Sequence, residues 1–94
     1  MHEEALLKDL RQKVEEVALA QHALRVSRVF LWVGALSHLT EEQLRARWSE
    51  LMAGSVAEGS ELVIEFSGDL DDPRAQRIVL MSLNFIPPDT EGDP

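Results

Sequence analysis

Apolar residues recur at helical spacing from the first turns of the chain. Leu6, Leu7, Leu10, Val14, Val17 and Ala18 fall on one stripe, and Lys8, Asp9, Arg11, Gln12, Glu15 and Glu16 fill the other face. This pattern predicts an amphipathic helix over about residues 4–21. His22 follows it, where an imidazole is expected to act as a C-terminal cap that favours the helix dipole. The period then changes. Val26-Ser27-Arg28-Val29-Phe30-Leu31-Trp32-Val33 is rich in β-branched and aromatic residues, which predicts a strand. Residues 34–39 read as a loop. Thr40 is placed to cap a second helix, and Gln43, three residues later, completes a capping box. Leu44, Trp48, Leu51 and Met52 form that helix's apolar stripe, and Gly54 is a C-terminal stop.

A second strand is predicted over residues 61–66. Ser67-Gly68-Asp69-Leu70-Asp71-Asp72-Pro73 carries turn chemistry. A third strand, residues 77–86, ends at Pro87-Pro88, which cannot continue a ladder. The order α-β-α-β-β implies an α+β fold: a small three-stranded sheet with two helices on one face, the last two strands forming a hairpin. Residues 1–88 are expected to make one domain and residues 89–94 a disordered tail.

Two helices leave the second face of such a sheet open. By alternation Val29, Leu31 and Val33 face one way, and Phe30 and Trp32 the other. The second strand places Leu62, Ile64 and Phe66 on one side. The third is apolar on both parities, Val79, Met81, Leu83 and Phe85 against Ile78, Leu80 and Ile86. An apolar patch around Phe30 and Trp32 marks an interface; the alternatives are a slip of strand frame or a first helix that wraps round the sheet. A homodimer is the expected assembly, by sheet-to-sheet packing or by exchange of the 61–86 hairpin.

Ninety-four residues suffice for one modest core, and 45% hydrophobic content is that of a globular chain. A net charge of −8 opposes nucleic acid and anionic membrane surfaces as partners. The acidic N-terminal segment is not followed by an uninterrupted apolar stretch, so no signal peptide and no membrane span are expected, and the cytoplasm is the expected location. The chain has no cysteine, which excludes disulfides, thiol catalysis and a four-cysteine zinc site.

The chain opens Met1-His2-Glu3. An imidazole at position 2, the α-amino group and the intervening amide nitrogen can close fused chelate rings round one ion. Nitrogen-rich tetragonal sites suit Ni(II) and Cu(II); a chance histidine at a frayed terminus is the competing explanation.

Three stretches carry a family resemblance: Met1-His2-Glu3; Val29-Phe30-Leu31-Trp32-Val33-Gly34-Ala35-Leu36-Ser37 followed by Glu42-Gln43-Leu44; and Gly54-Ser55-Val56-Ala57-Glu58-Gly59-Ser60-Glu61-Leu62-Val63-Ile64-Glu65. Together with Arg77-Ile78-Val79-Leu80-Met81-Ser82-Leu83, which is similar to a closing strand, they resemble the hydrogenase maturation nickel chaperones of the HypA/HybF family over nearly the whole chain. The resemblance implies Ni(II) binding through the Met1 amine, the His2 imidazole and neighbouring backbone nitrogens, with Glu3 as a ligand or docking residue. Some relatives have an acidic residue where this chain has Thr40, and His38 or Glu41 could substitute for it. Family members insert a zinc domain with two cysteine pairs between the second and last strands. Residues 67–76 replace it here, so no zinc is expected. The implied partners are a nickel-handling GTPase and the large subunit of a [NiFe] hydrogenase.

Three functions compete. The first is a nickel-delivery module, for which a mobile terminal chelate that releases its ion is suited. The second is a metal-free dimeric adaptor using the Phe30 and Trp32 face. The third, catalysis, lacks support: no phosphate-binding glycine loop is present, and Ser37 beside His38 is not the geometry of a nucleophile and its base.

Overall fold

The computed structural model describes residues 2–88, with His2 and Glu3 described by their backbone alone. Residues 89–94, expected to form a disordered tail, lie outside the described residues. The elements are α1 (His2–Ala20), β1 (Arg25–Val33), α2 (Glu41–Met52), β2 (Glu61–Phe66) and β3 (Ile78–Ile86).

The predicted capping box at α2 is present. Thr40 Oγ1 accepts from the Gln43 amide, and the Gln43 side chain accepts from the Thr40 amide, both at 3.0 Å. Gly54 follows the helix at φ 79°, the left-handed conformation that glycine adopts without steric cost.

The end of α1 differs from expectation. His22 takes φ 54°. Its amide bonds the Leu19 carbonyl at 3.0 Å, and the Ala23 amide bonds the Ala18 carbonyl at 2.9 Å, the paired closure of a Schellman motif. His22 thus ends the helix through its backbone, and its side chain is exposed. A non-glycine residue pays steric cost in this conformation. Replacing His22 with glycine is therefore expected to raise stability by about 0.5–1 kcal/mol, or ~2–8 °C in Tm; an unchanged or lower melting temperature would contradict this account.

The core is one cluster. Leu7, Leu10, Val14 and Ala18 of α1 and Leu44, Trp48 and Met52 of α2 close on Val26, Val29, Leu31 and Val33 of β1 and on Leu62 of β2. The Trp48 indole N–H donates to Ser60 Oγ at 3.1 Å, which satisfies its one polar group. Both helices cover the same face of the sheet, as expected. Their N-to-C directions agree: Glu4 pairs with Arg47, while Arg11 further along α1 donates to the Leu51 carbonyl at 3.0 Å near the end of α2.

Two expectations about the sheet are corrected. The strand order is β2-β1-β3, so the last two strands do not form a hairpin. β1 lies between them, parallel to β2 and antiparallel to β3. The α2 crossover returns the chain to lay β2 parallel to β1, and β3 then takes the far side of β1 instead of the outer edge of β2. Exchange of a 61–86 hairpin between copies is excluded with it. The second correction concerns β3, whose apolar residues on both parities have a structural cause. Phe30 pairs with Ser82 but Leu31 with Leu80, so Met81 is an extra, bulged residue. The bulge switches faces mid-strand. Ile78 and Leu80 before it, and Leu83 and Phe85 after it, all pack on the core. A second shift at Ser27 lets Val26 and Val29 share the buried face.

Candidate functional site

The β-α-β crossover gathers several segments at one end of the sheet. β1 and β2 are parallel, so both finish there; β3 starts there, with Ile78 opposite Val33. Glu4 at the first turn of α1 pairs with Arg47 of α2, and Leu6 and Leu10 of α1 line one groove with Ile78 and Leu80 of β3. The beginnings of both helices, the 34–40 loop and the 67–77 loop therefore share this end.

These loops are tied to each other. The Gly34 amide donates to the Arg77 carbonyl at 2.8 Å, the Leu36 amide to the Ala75 carbonyl at 2.7 Å, and the Ser67 amide to the Val33 carbonyl at 2.9 Å. Gly34 meets the 67–77 loop backbone to backbone, so the short loop between β2 and β3 seals directly onto the end of β1. This contact was not legible in the sequence, because nothing in the run Val33-Gly34-Ala35 encodes a partner forty residues away.

Of the predicted nickel ligands, Met1 lies outside the described residues, and His2 and Glu3 form the first residues of α1. His38 is exposed in the loop before α2. Glu41 is exposed and accepts from Arg45 Nε at 3.0 Å. Thr40 is occupied with capping, as its sequence position implied. Among the described residues, no three His, Cys, Asp or Glu side chains converge as a metal cluster. His38 and Glu41 share an end of the molecule with His2 without forming a preassembled centre of their own.

The face of the sheet away from the helices carries the second candidate. Phe30, half-buried, lies between Val63 of β2 and Ser82 of β3; Trp32, also half-buried, lies between Glu65 and Val79. Arg28 opens the row and bonds Glu61 at 2.9 Å. The alternation read from β1 is thus correct, and α1 does not wrap round to this side. Sequence reasoning missed one member. The Arg74 guanidinium stands 4.5 Å from the Trp32 ring centroid, a cation–π arrangement. Asp72 holds it there, accepting from the Arg74 amide at 2.7 Å and from Arg74 Nε at 3.2 Å. Hydrogen bonds from the Arg74 side chain and amide lower the Asp72 carboxyl pKa, and the same pairing raises that of Arg74. The pairing contributes above the ordinary aspartate range and is lost as pH falls through the lowered Asp72 value.

Comparison with known proteins identifies the family. Residues 1–68 match the family described as "HypA: Hydrogenase/urease nickel incorporation, metallochaperone, hypA". The match starts at the Met1-His2-Glu3 segment and stops just after β2. The hydrogenase maturation factor HypA of Azorhizobium caulinodans is 47% identical over 64 residues, which are 68% of this chain and 57% of that protein. That of Methanosarcina acetivorans is 37% identical over 65 residues, 69% of this chain and 49% of that one. The chain thus spans about half the length of these curated relatives. The similarity of residues 77–83 to a closing strand lies outside the family match, so the resemblance is narrower in sequence than expected. The fold extends further: the solution structure of the Ni metallochaperone HypA from Helicobacter pylori aligns with a TM-score of 0.78 at 18% identity, covering 93% of this chain and 99% of that one. With 68 consecutive residues matched from the first, the chain belongs to the HypA family of hydrogenase/urease nickel-incorporation metallochaperones.

Proposed function

We propose that this chain is a nickel-delivery module acting in [NiFe] hydrogenase maturation, and not an enzyme. Ni(II) is its cargo, taken by the Met1 amine, the His2 imidazole and the backbone nitrogens beside them, with Glu3 as a further ligand or docking residue. The observation that carries this reading is the family match beginning at residue 1. The position of His2 and Glu3 at the start of α1 supports it physically. The first amides of a helix have no intrahelical acceptor, so a metal can deprotonate and bind them without breaking the helix ladder. His38 and Glu41, at the same end, are candidate additional ligands. Delivery takes place in the cytoplasm to a nickel-handling GTPase and a hydrogenase large subunit. No helix among the described residues is long and apolar enough to cross a membrane.

The test is calorimetric titration of Ni(II) into protein whose first residue is Met1. One ion should bind per chain. His2→Ala, or one residue added before Met1, should reduce affinity beyond the roughly 10–100-fold that outer-shell changes cost, with the fold intact by circular dichroism. Unchanged affinity in both variants would refute the terminal chelate. The half-buried Phe30 and Trp32 face favours a second reading, a metal-free adaptor of the same fold, and absence of Ni(II) binding by the parent would select it.

The same reading holds that folding is independent of zinc, since the chain offers no cysteine ligands and its 67–77 loop closes the sheet end through backbone hydrogen bonds. Thermal melts with and without a strong chelator should superimpose; a large loss of stability on chelation would reveal a structural metal.

A further inference from the structure

At the end where both helices begin, two acids are already held by guanidinium groups. Glu4 pairs with Arg47, and Glu41 pairs with Arg45 at 3.0 Å. The two pairs stand on different flanks of α2. Arg47 and Leu51 mark the flank towards α1, since the Leu51 carbonyl accepts from Arg11. Arg45 donates to the Leu62 carbonyl at 2.7 Å, so Arg45 and Glu41 lie on the flank towards β2. At about 100° per residue, Glu41 and Glu42 are turned roughly 120–140° from Arg47. Neither carboxylate in the first turn of α2 therefore faces α1.

Gln43 does face that way. It lies one turn before Arg47 and only about 40° round the helix from it. Its side chain accepts from the Thr40 amide at 3.0 Å, which draws the 37–40 turn along the α1 flank. α1 begins at His2, two residues before Glu4. The helices run in the same direction, so the start of α1 and this turn come together. The turn is fixed on both sides of His38. The Leu36 amide bonds the Ala75 carbonyl at 2.7 Å, Leu39 is buried in the core, and the Leu39 amide donates to Ser37 Oγ at 3.3 Å. His38 itself is exposed. Among the described residues its imidazole has no hydrogen bond and no ion pair.

We propose that His38 is the second imidazole of the nickel site and that Glu41 is not a ligand. The inference rests on the terminal chelate proposed above and names the side chain that completes it. An imidazole nitrogen suits Ni(II), and that of His38 is available without breaking an existing pair, whereas Glu41 must first give up Arg45. A donor already pinned by its loop also loses little freedom when it binds.

The experiment titrates Ni(II) alone into the full chain, with Met1 as its first residue. His38→Ala and His38→Gln should each weaken binding at least about tenfold, with melting temperatures unchanged. Glu41→Gln should stay within about twofold of the parent. The chain has three histidines, and His22 closes the far end of α1, so it serves as an internal control. In proton NMR the ring resonances of His2 and His38 should shift or broaden with the first equivalent of Ni(II), while those of His22 stay in place. A response of His2 without His38, with His38→Ala at parental affinity, overturns this inference and leaves the terminal chelate standing. Loss of affinity in Glu41→Gln but not in His38→Ala also overturns it, and gives the place to the carboxylate. A parent that binds no Ni(II) overturns both.

Discussion

Gly34→Ala should destabilise the protein by about 3–5 kcal/mol and lower its melting temperature by more than ~12 °C. A Cβ on Gly34 would fall far inside van der Waals distance of the Ala75 carbonyl carbon and oxygen and 2.5 Å from the Arg74 oxygen. These are backbone atoms and cannot rotate aside. The obstructed loop cannot retreat either, because the Ala75 carbonyl accepts from Leu36 and the Arg77 carbonyl accepts from Gly34 itself. Ala75 is also buried, at 4% exposure, so displacing it opens the sheet end to water. Gly68, in the same loop, is the control. A Cβ there meets nothing within 4 Å, and Gly68→Ala should change stability by no more than about 0.5 kcal/mol. If both variants unfold at the parent's denaturant midpoint, the closure of the 67–77 loop on β1 is wrong.

Leu31→Ala should cost about 3–5 kcal/mol. Leu31 is 1% exposed, in the middle strand, paired with Ile64 on one side and Leu80 on the other. Its neighbours are held by two ladders and by the helices above, so the vacated volume cannot collapse, and the cavity adds to the lost transfer energy. Its sequence neighbour Phe30 points to the uncovered face. Phe30→Thr should cost less, no more than about 2 kcal/mol, although it removes a larger side chain, because the half-buried ring lies outside the packed core. Urea unfolding of the two variants measures the difference directly. Equal losses would mean that the alternation of β1 does not divide core from open face.

The parts of this fold that the chain spells out are those with local causes. The α1 stripe, the Thr40–Gln43 capping box, the Gly54 stop and the alternation of β1 each depend on residues within a few positions of one another, and each is legible in the amino-acid order alone. His22 shows where local reading falls short even at short range: its side chain suggests a dipole partner, whereas its backbone conformation is what ends the helix. The Met1-His2-Glu3 segment stands out by chelate chemistry and by resemblance, not by any fold argument.

Sheet order is settled elsewhere. Turn chemistry in residues 67–73 reads equally well as a hairpin or as a longer return, because a turn specifies reversal of the chain and not which strand lies beside it. In the structure β1 is the neighbour of both outer strands, with β3 packed against α1 as well. The Met81 bulge is likewise invisible in β3 alone. It exists because Leu80 and Leu83 must both reach a core whose far wall is α1, and a strand of period two can do so only by inserting a residue. Gly34 against Ala75, and Arg74 over Trp32, join segments forty residues apart. The sequence by itself determined the elements, their caps and the two faces of β1, since those follow from the periodicity and backbone chemistry of neighbouring residues. Only the tertiary structure decided strand order, the bulge and the sealed end of the sheet, since those depend on long-range packing that no local pattern encodes.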